Sequence, residues 1–218
     1  MTAPRLLIAT PVYGSPTTAT VHAGYMAGCF DLSRIGAQML QHRAMTNCDL
    51  VRARSRAVRI ALDGAFTHLL FWDSDIVGTD PARAVLGMLN ENVDVIAGAY
   101  PRKHLPPEPT HRPPYVGMGF TLISARCLDA MWDAYYDELY FDDLLNDKPF
   151  RSVALFQLMM LDGLAPAPHR SMLGEDYSFC ERWVRIGGSV HLYDGPGCPL
   201  GHVGSFVYEG TREQLHGA

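Results

Sequence analysis

The sequence lacks the features that define several large functional classes. Its five cysteines (Cys29, Cys48, Cys127, Cys180, Cys198) contain no Cys-x-x-Cys spacing. Their odd number argues against a disulfide framework or a structural zinc site and fits a reducing compartment. Excess positive charge is also missing: the net charge of -5 gives no general attraction to nucleic acid or to acidic membranes. No apolar run approaches the ~18 residues that a membrane span needs. Leu6-Leu7-Ile8 is too short for a leader and is soon followed by Pro11, so a cytoplasmic location is expected. No internal repeat or linker-like stretch divides the 218 residues, which are expected to form one domain. A Gly-rich, basic phosphate loop after the first strand is absent too. What the chain does have is 48% hydrophobic against 19% charged residues, enough for a packed core.

The stretch from Thr67 to Asp75 organises the rest. Thr67 to Trp72 is apolar, aromatic or β-branched except at His68, and reads as a buried parallel strand. Asp73 and Asp75 then fall at its carboxyl end, where open α/β sheets bind ligands. Alternation along an extended chain would put both carboxylates on one face. Two like charges that close need a cation, and a hard divalent ion with oxygen ligands is the natural candidate.

Around this stretch the pattern is βαβαβαβ. Strands are expected over 5–10, 36–42, 94–100, 116–123 and 190–193, and helices over 18–34, 49–65, 80–90, 125–136 and 174–187. This predicts an α/β fold with a mostly parallel central sheet and helices on both faces. On the helix over 49–65, Arg52, Arg56, Arg59 and Asp63 share a polar face. Arg54 falls in the middle of the apolar face made by Leu50, Ala53, Ala57, Val58 and Ala61. A guanidinium there must be paired. It is a structural ion pair, a side chain that snorkels out, or a partner for a phosphate or for the Asp73 pair. The segment 101–114 holds six prolines with Arg102, Lys103, His104, His111 and Arg112, and reads as a long lid-like loop. Residues 137–148 read as an acidic, turn-rich surface, 153–161 as a strand or core helix, and 200–204 as an irregular Gly-rich closing segment. In Gly174-Glu175-Asp176, which opens the last helix, Asp176 faces inward and Glu175 lies at the edge of that face. An inward carboxylate is paired, near a metal, or raised in pKa.

In order, the chain carries Thr10-Pro-Val-Tyr-Gly14, Arg52-Ala-Arg54-Ser-Arg56, Asp73-Ser-Asp75, Gly117-Met-Gly119-Phe-Thr-Leu-Ile-Ser124, Gly174-Glu-Asp176-Tyr-Ser-Phe-Cys180 and Leu200-Gly-His202-Val-Gly204. This order resembles the GT-A-fold glycosyltransferases, in particular the small ones related to the large inverting, family 2-like group, from about residue 5 to 206. The resemblance implies a single Rossmann-like domain whose nucleotide-binding part covers about 1–100 and whose acceptor and catalytic part covers about 101–218. It implies that Thr10, Pro11 and Tyr13 line the base pocket and that Arg54 lies near the nucleotide. It further implies that Asp73 and Ser74 contact ribose and metal, Asp75 binds the metal under the diphosphate, and His202 is a further metal ligand. Gly119 would face sugar or acceptor, and Asp176 would be the general base beside Glu175. Two departures stand out: Ser55 replaces the family's asparagine after the arginine, and the acid after the second strand is missing, with Asp49 a distant candidate.

The implied chemistry is transfer of a sugar, such as a hexose, from a nucleoside diphosphate sugar to a hydroxyl with inversion. A UDP-sugar is favoured as donor and Mn²⁺ or Mg²⁺ as cofactor, an imidazole ligand leaning toward manganese. The acceptor is a saccharide, a lipid-linked sugar or a hydroxylated base in phage-type DNA. Three other readings stay open: a phosphohydrolase with Asp73 as nucleophile, a metal-dependent nucleotidyltransferase, and a sugar-nucleotide-binding module without catalysis.

Overall fold

A computed structural model describes residues 3–12, 37–46, 49–103, 114–145, 148–162, 170–204 and 207–210. Along the chain the elements are β1 (Arg5–Val12), β2 (Met39–Thr46), α1 (Leu50–Asp63), β3 (His68–Trp72), β4 (Ile76–Val77), α2 (Pro81–Asn90), β5 (Val95–Gly98) and β6 (Phe120–Ser124). They continue with α3 (Ala125–Leu139), β7 (Tyr140–Leu145), β8 (Lys148–Val153), β9 (Met159–Asp162), β10 (Arg170–Leu173), α4 (Glu175–Arg185), β11 (His191–Tyr193), β12 (Gly201–Val203) and β13 (Val207–Tyr208). The helix expected over 18–34, and Tyr13, lie outside the described residues, as do 104–113 of the expected lid.

The fold is α/β, built on a six-stranded sheet in the order β11-β5-β6-β3-β1-β2. The buried-strand reading holds because side chains alternate between two cores. Leu7, Ala9, Leu69 and Phe71 enter one core, against α1, α3 and α4. Leu6, Ile8, Leu70 and Trp72 enter the other, against α2. Helices therefore cover both faces. The sheet is mixed rather than mostly parallel. β1 runs parallel to β2 and β3, and β11 to β5, but β6 runs antiparallel to both β3 and β5. The reversal matters for the site: Phe120 pairs with Trp72, so the segment entering β6 arrives at the carboxyl ends of β3 and β5.

Local chemistry sets the helix ends. Asp49 caps α1, its side chain accepting from the Arg52 amide at 2.9 Å. This capping role accounts for Asp49 without a ligand. Asp80 caps α2 with Pro81 in its first turn, and Gly187, at φ +91°, follows the end of α4.

Three expectations are corrected. Over 137–148 the solvated acidic surface is present, with Asp137, Glu138 and Asp142 exposed, but its described part is regular rather than turn-rich: it ends α3 and forms β7, paired antiparallel with β8, where Asp142 meets Arg151 across the strands. Residues 154–158 form neither strand nor helix: Leu155 and Phe156 are buried in an irregular turn held by Arg182, whose guanidinium donates to the Leu155 and Gln157 carbonyls. The closing Gly-rich segment is a strand, β12, in a small antiparallel sheet with β4 and β13.

Candidate active site

The turn after β3 centres the site. The Ile76 amide donates to the Asp73 carbonyl at 3.1 Å, and the Trp72 indole donates to the Ile76 carbonyl at 2.8 Å. The chain turns immediately after the strand, so strand alternation does not govern Asp73 and Asp75. The two carboxylates take different partners.

Asp73 belongs to a buried ion cluster. Arg54, only 1% exposed, spans it with two hydrogen bonds, Nη1 to Oδ1 at 3.3 Å and Nη2 to Oδ2 at 3.1 Å. Its Nε faces Asp176 Oδ1 at 3.5 Å, and its guanidinium lies over the Phe71 ring, 4.9 Å from the centroid. Burial alone would lower the Arg54 pKa. The charges of Asp73 and Asp176 outweigh it and hold the group well above its ordinary value. The misplaced arginine of the α1 apolar face is thus paired with the carboxylate after β3.

Asp176 stands at the amino end of α4. Its Oδ2 accepts from the Met118 amide at 2.9 Å. Its Oδ1 is buried and has no hydrogen-bond partner among the described residues. The side chain as a whole is 24% exposed, so the burial is felt mainly through Oδ1. That burial, reinforced by Glu175 and Asp73 and opposed by Arg54 and the Met118 amide, pushes the carboxyl up to about 6. Glu175 is half-buried on the first turn of the same helix.

Asp75 belongs to a second cluster. Its Oδ2 lies 2.6 Å from Lys103 Nζ and 3.4 Å from His202 Nε2. Burial would raise its pKa, but the His202 and Lys103 contacts overcome this and bring it to about 2. The small sheet places His202: it pairs with Ile76, and the Val203 amide donates to the Asp75 carbonyl at 2.7 Å. His202 Nδ1 lies 3.0 Å from the Pro101 carbonyl, which can only accept, so Nδ1 carries the proton. Nε2 then faces Asp75 Oδ2. An imidazole oriented through Nδ1 by a backbone carbonyl is the arrangement of a metal-binding histidine, and the place between Nε2 and the carboxylate suits a cation. Among the described residues no three His, Cys, Asp or Glu side chains gather to hold one. Asp73, expected as a third ligand, is committed to Arg54.

A continuous set of contacts joins the two clusters. Asp176 holds the Met118 amide. Next to it, the Gly119 amide donates to the Tyr100 hydroxyl at 2.9 Å, and the Tyr100 ring meets His202 edge-on at 5.5 Å between centroids. Gly119 also accepts from the Asp73 amide at 2.8 Å. A Cβ on Gly119 would meet Tyr100 Oη at 2.6 Å and Cζ at 2.9 Å. The glycine therefore lets Tyr100 seat between the clusters. Gly119→Ala is expected to cost about 1–3 kcal/mol of stability through this overlap, read as a lower urea midpoint. An unchanged midpoint would show that Tyr100 moves aside freely.

Of the remaining expected site residues, Tyr13 lies outside the described residues and the others lie along the carboxyl edge of the sheet. Thr10 and Pro11 are buried at the carboxyl end of β1, beside β3, and Ser74 is half-buried on the turn. Sequence reasoning missed Tyr100 and the Met118 amide. Their signal was positional, since both lie where a strand meets the carboxyl edge. A cavity of about 520 Å³, lined in part by Phe66, His68, Asn92 and Arg126, opens at the amino end of β3. It is at the wrong end of the sheet for Asp73, Asp75 and Asp176, and the convergent charges define the site better than that volume does.

No protein-family model matches the chain, and no curated protein matches it. Solved structures share parts of its fold. A197 from STIV is 21% identical over 57% of this chain and 67% of its own, with a TM-score of 0.43. A glycosyltransferase involved in the glycosylation of the major capsid of PBCV-1 is 13% identical over 62% of this chain and 69% of its own, with a TM-score of 0.40. A Desulfovibrio desulfuricans G20 protein, named for nucleotide-diphospho-sugar transfer, is 14% identical over 86% of this chain and 79% of its own, with a TM-score of 0.44. At these values the likenesses carry no functional argument. Among the described residues, no helix is long and apolar enough to cross a membrane.

Proposed function

We propose that this protein is an inverting, divalent-metal-dependent glycosyltransferase that takes a sugar from a nucleoside diphosphate donor. The observation that carries the reading is the joining, at one sheet edge, of an Asp75–His202 notch suited to a cation and a half-sunk carboxylate, Asp176, suited to a proton. One carboxyl is held at about 2 and the other raised to about 6, which separates an electrostatic role from a base role. A bound Mn²⁺ or Mg²⁺ would offset the charge that develops on the departing diphosphate.

The chain's own residues supply the rest. Asp176 Oδ1 is sealed against Arg54, so an acceptor hydroxyl reaches Oδ2, where the Met118 amide leaves a second lone pair. The hydroxyl oxygen bonds to the anomeric carbon, the bond from that carbon to the diphosphate breaks with its electron pair, and the proton passes to Asp176. Arg54 holds Asp73 and Asp176 in place for this. Thr10, Pro11, Tyr13 and Ser74 would face the nucleoside, and Gly119 the sugar. The UDP preference, the hexose and a saccharide or modified-DNA acceptor remain parts of the proposal to be tested by a donor and acceptor panel. The bidentate Arg54 clamp counts against Asp73 as a free phosphohydrolase nucleophile.

UDP and GDP binding, measured by calorimetry in EDTA and in Mn²⁺, tests the reading. Affinity should depend on the metal, and in Asp75→Ala the metal-dependent part should vanish while the fold survives. Equal affinity in both buffers would refute the metal requirement.

A further inference from the structure

We propose that Lys103 is a tethered cation that occupies the Asp75–His202 notch and is displaced when a divalent metal binds there. The inference rests on the reading of Asp75 and His202 as metal ligands. Lys103 Nζ and His202 Nε2 approach the same oxygen, Asp75 Oδ2, at 2.6 Å and 3.4 Å. A metal shared by Asp75 and His202 needs that oxygen. An ammonium and a divalent ion on one carboxylate oxygen repel each other at close range, so the two states exclude one another. The geometry also lets Lys103 leave. Its side chain is 40% exposed and that of Asp75 37%, so the ammonium returns to water at little cost.

His202 and Lys103 are set by one short stretch of chain. His202 Nδ1 donates to the Pro101 carbonyl, two residues before Lys103. The imidazole is thereby oriented whether Lys103 is docked or not, and only the lysine needs to move. The residue type fits the role. The chain has 18 Lys and Arg residues, yet only Lys103 and Lys148 are lysines. An ammonium is a compact point charge on a flexible stem, closer to a metal ion than a planar guanidinium is. The docked ammonium keeps Asp75 compensated in the metal-free protein, and metal loading then requires an exchange of one cation for another.

Mn²⁺ titrations followed by electron paramagnetic resonance decide the point, using wild type, Lys103→Met, Lys103→Arg and Asp75→Ala. Lys103→Met should bind Mn²⁺ about fivefold tighter than wild type, the scale of an exposed ion pair removed from competition. Lys103→Arg should stay near wild type because it keeps a competing charge. Asp75→Ala should lose the site. A second readout needs no variant: acylation of lysines by an amine-reactive reagent, resolved by peptide mass spectrometry. Mn²⁺ should speed labelling of Lys103 and leave Lys148 unchanged. Mn²⁺ binding that is lost in Asp75→Ala but equal or weaker in Lys103→Met would overturn the displacement and leave the metal site standing. Labelling of Lys103 that ignores Mn²⁺ would overturn it as well. No Mn²⁺ binding in wild type or in Lys103→Met would remove both the metal site and the lysine's role.

Discussion

Asp176→Asn is expected to lower turnover by ~10²-fold or more while donor and metal binding stay nearly intact. Asparagine keeps the volume and can still accept from the Met118 amide, but it offers no basic oxygen. In the wild type, kcat/KM should rise as pH passes about 6, where Asp176 gives up its proton. That limb should disappear in the variant. Glu175→Gln should cost less, because Glu175 lies at the edge of the helix face. The same carboxyl links to stability with a definite sign. Its folded pKa, about 6, lies above its ordinary 3.8, so the folded state favours the proton. Stability is therefore full below about 4 and falls as pH rises through about 6, by on the order of 1–3 kcal/mol. Asp176→Asn should melt above wild type at pH 8 and alongside it near pH 4. Wild-type turnover in the variant, or retention at the product's anomeric carbon by NMR, would take the base role away from Asp176.

The sequence made some of this legible for physical reasons. The short continuous apolar run from Leu69 to Trp72 reads as a strand buried on both faces, and the structure puts its alternate residues into two cores. A charge in the middle of the α1 apolar face had to find a partner, and Arg54 finds Asp73 and Asp176. The inward Asp176 was readable from helix periodicity. What stayed hidden depends on contacts between distant segments. Nothing local marks β6 as the reversed strand, because a run buried on both faces looks the same in either direction. His202 was noted, but its placement opposite Ile76 comes from a short β12 whose two neighbours are also short, below what periodicity can detect. The turn at Asp73 hides in the same way: a D-x-D at the end of a strand looks extended until the Ile76 amide closes it. Lys103 was one basic residue among several in a proline-rich stretch, and only the fold sets it on Asp75.

Arg54→Met should be the most damaging of the substitutions for stability. It leaves Asp73 and the sealed Oδ1 of Asp176 without their shared cation, and breaking a buried pair on one side typically costs roughly 3–5 kcal/mol. The stacking of the guanidinium over Phe71 is lost too, although the methionine thioether recovers part of that contact. Lysine should not rescue the site, since one ammonium cannot span both Asp73 oxygens and also face Asp176. The loss should depend on pH. Near pH 4 Asp176 is protonated in either protein, and the uncompensated charge is smaller, so the deficit shrinks. At pH 8 both carboxylates press on an empty place and the deficit is largest. Combining Arg54→Met with Asp73→Leu removes the stranded charge along with the cation and should recover much of the stability, because a buried pair replaced by apolar groups is often neutral. Urea denaturation of the three proteins at both pH values measures this. A single variant as stable as wild type at pH 8 would mean that Arg54 does not hold the two carboxylates. A double variant no better than the single would mean that the damage comes from lost packing against Phe71 rather than from stranded charge.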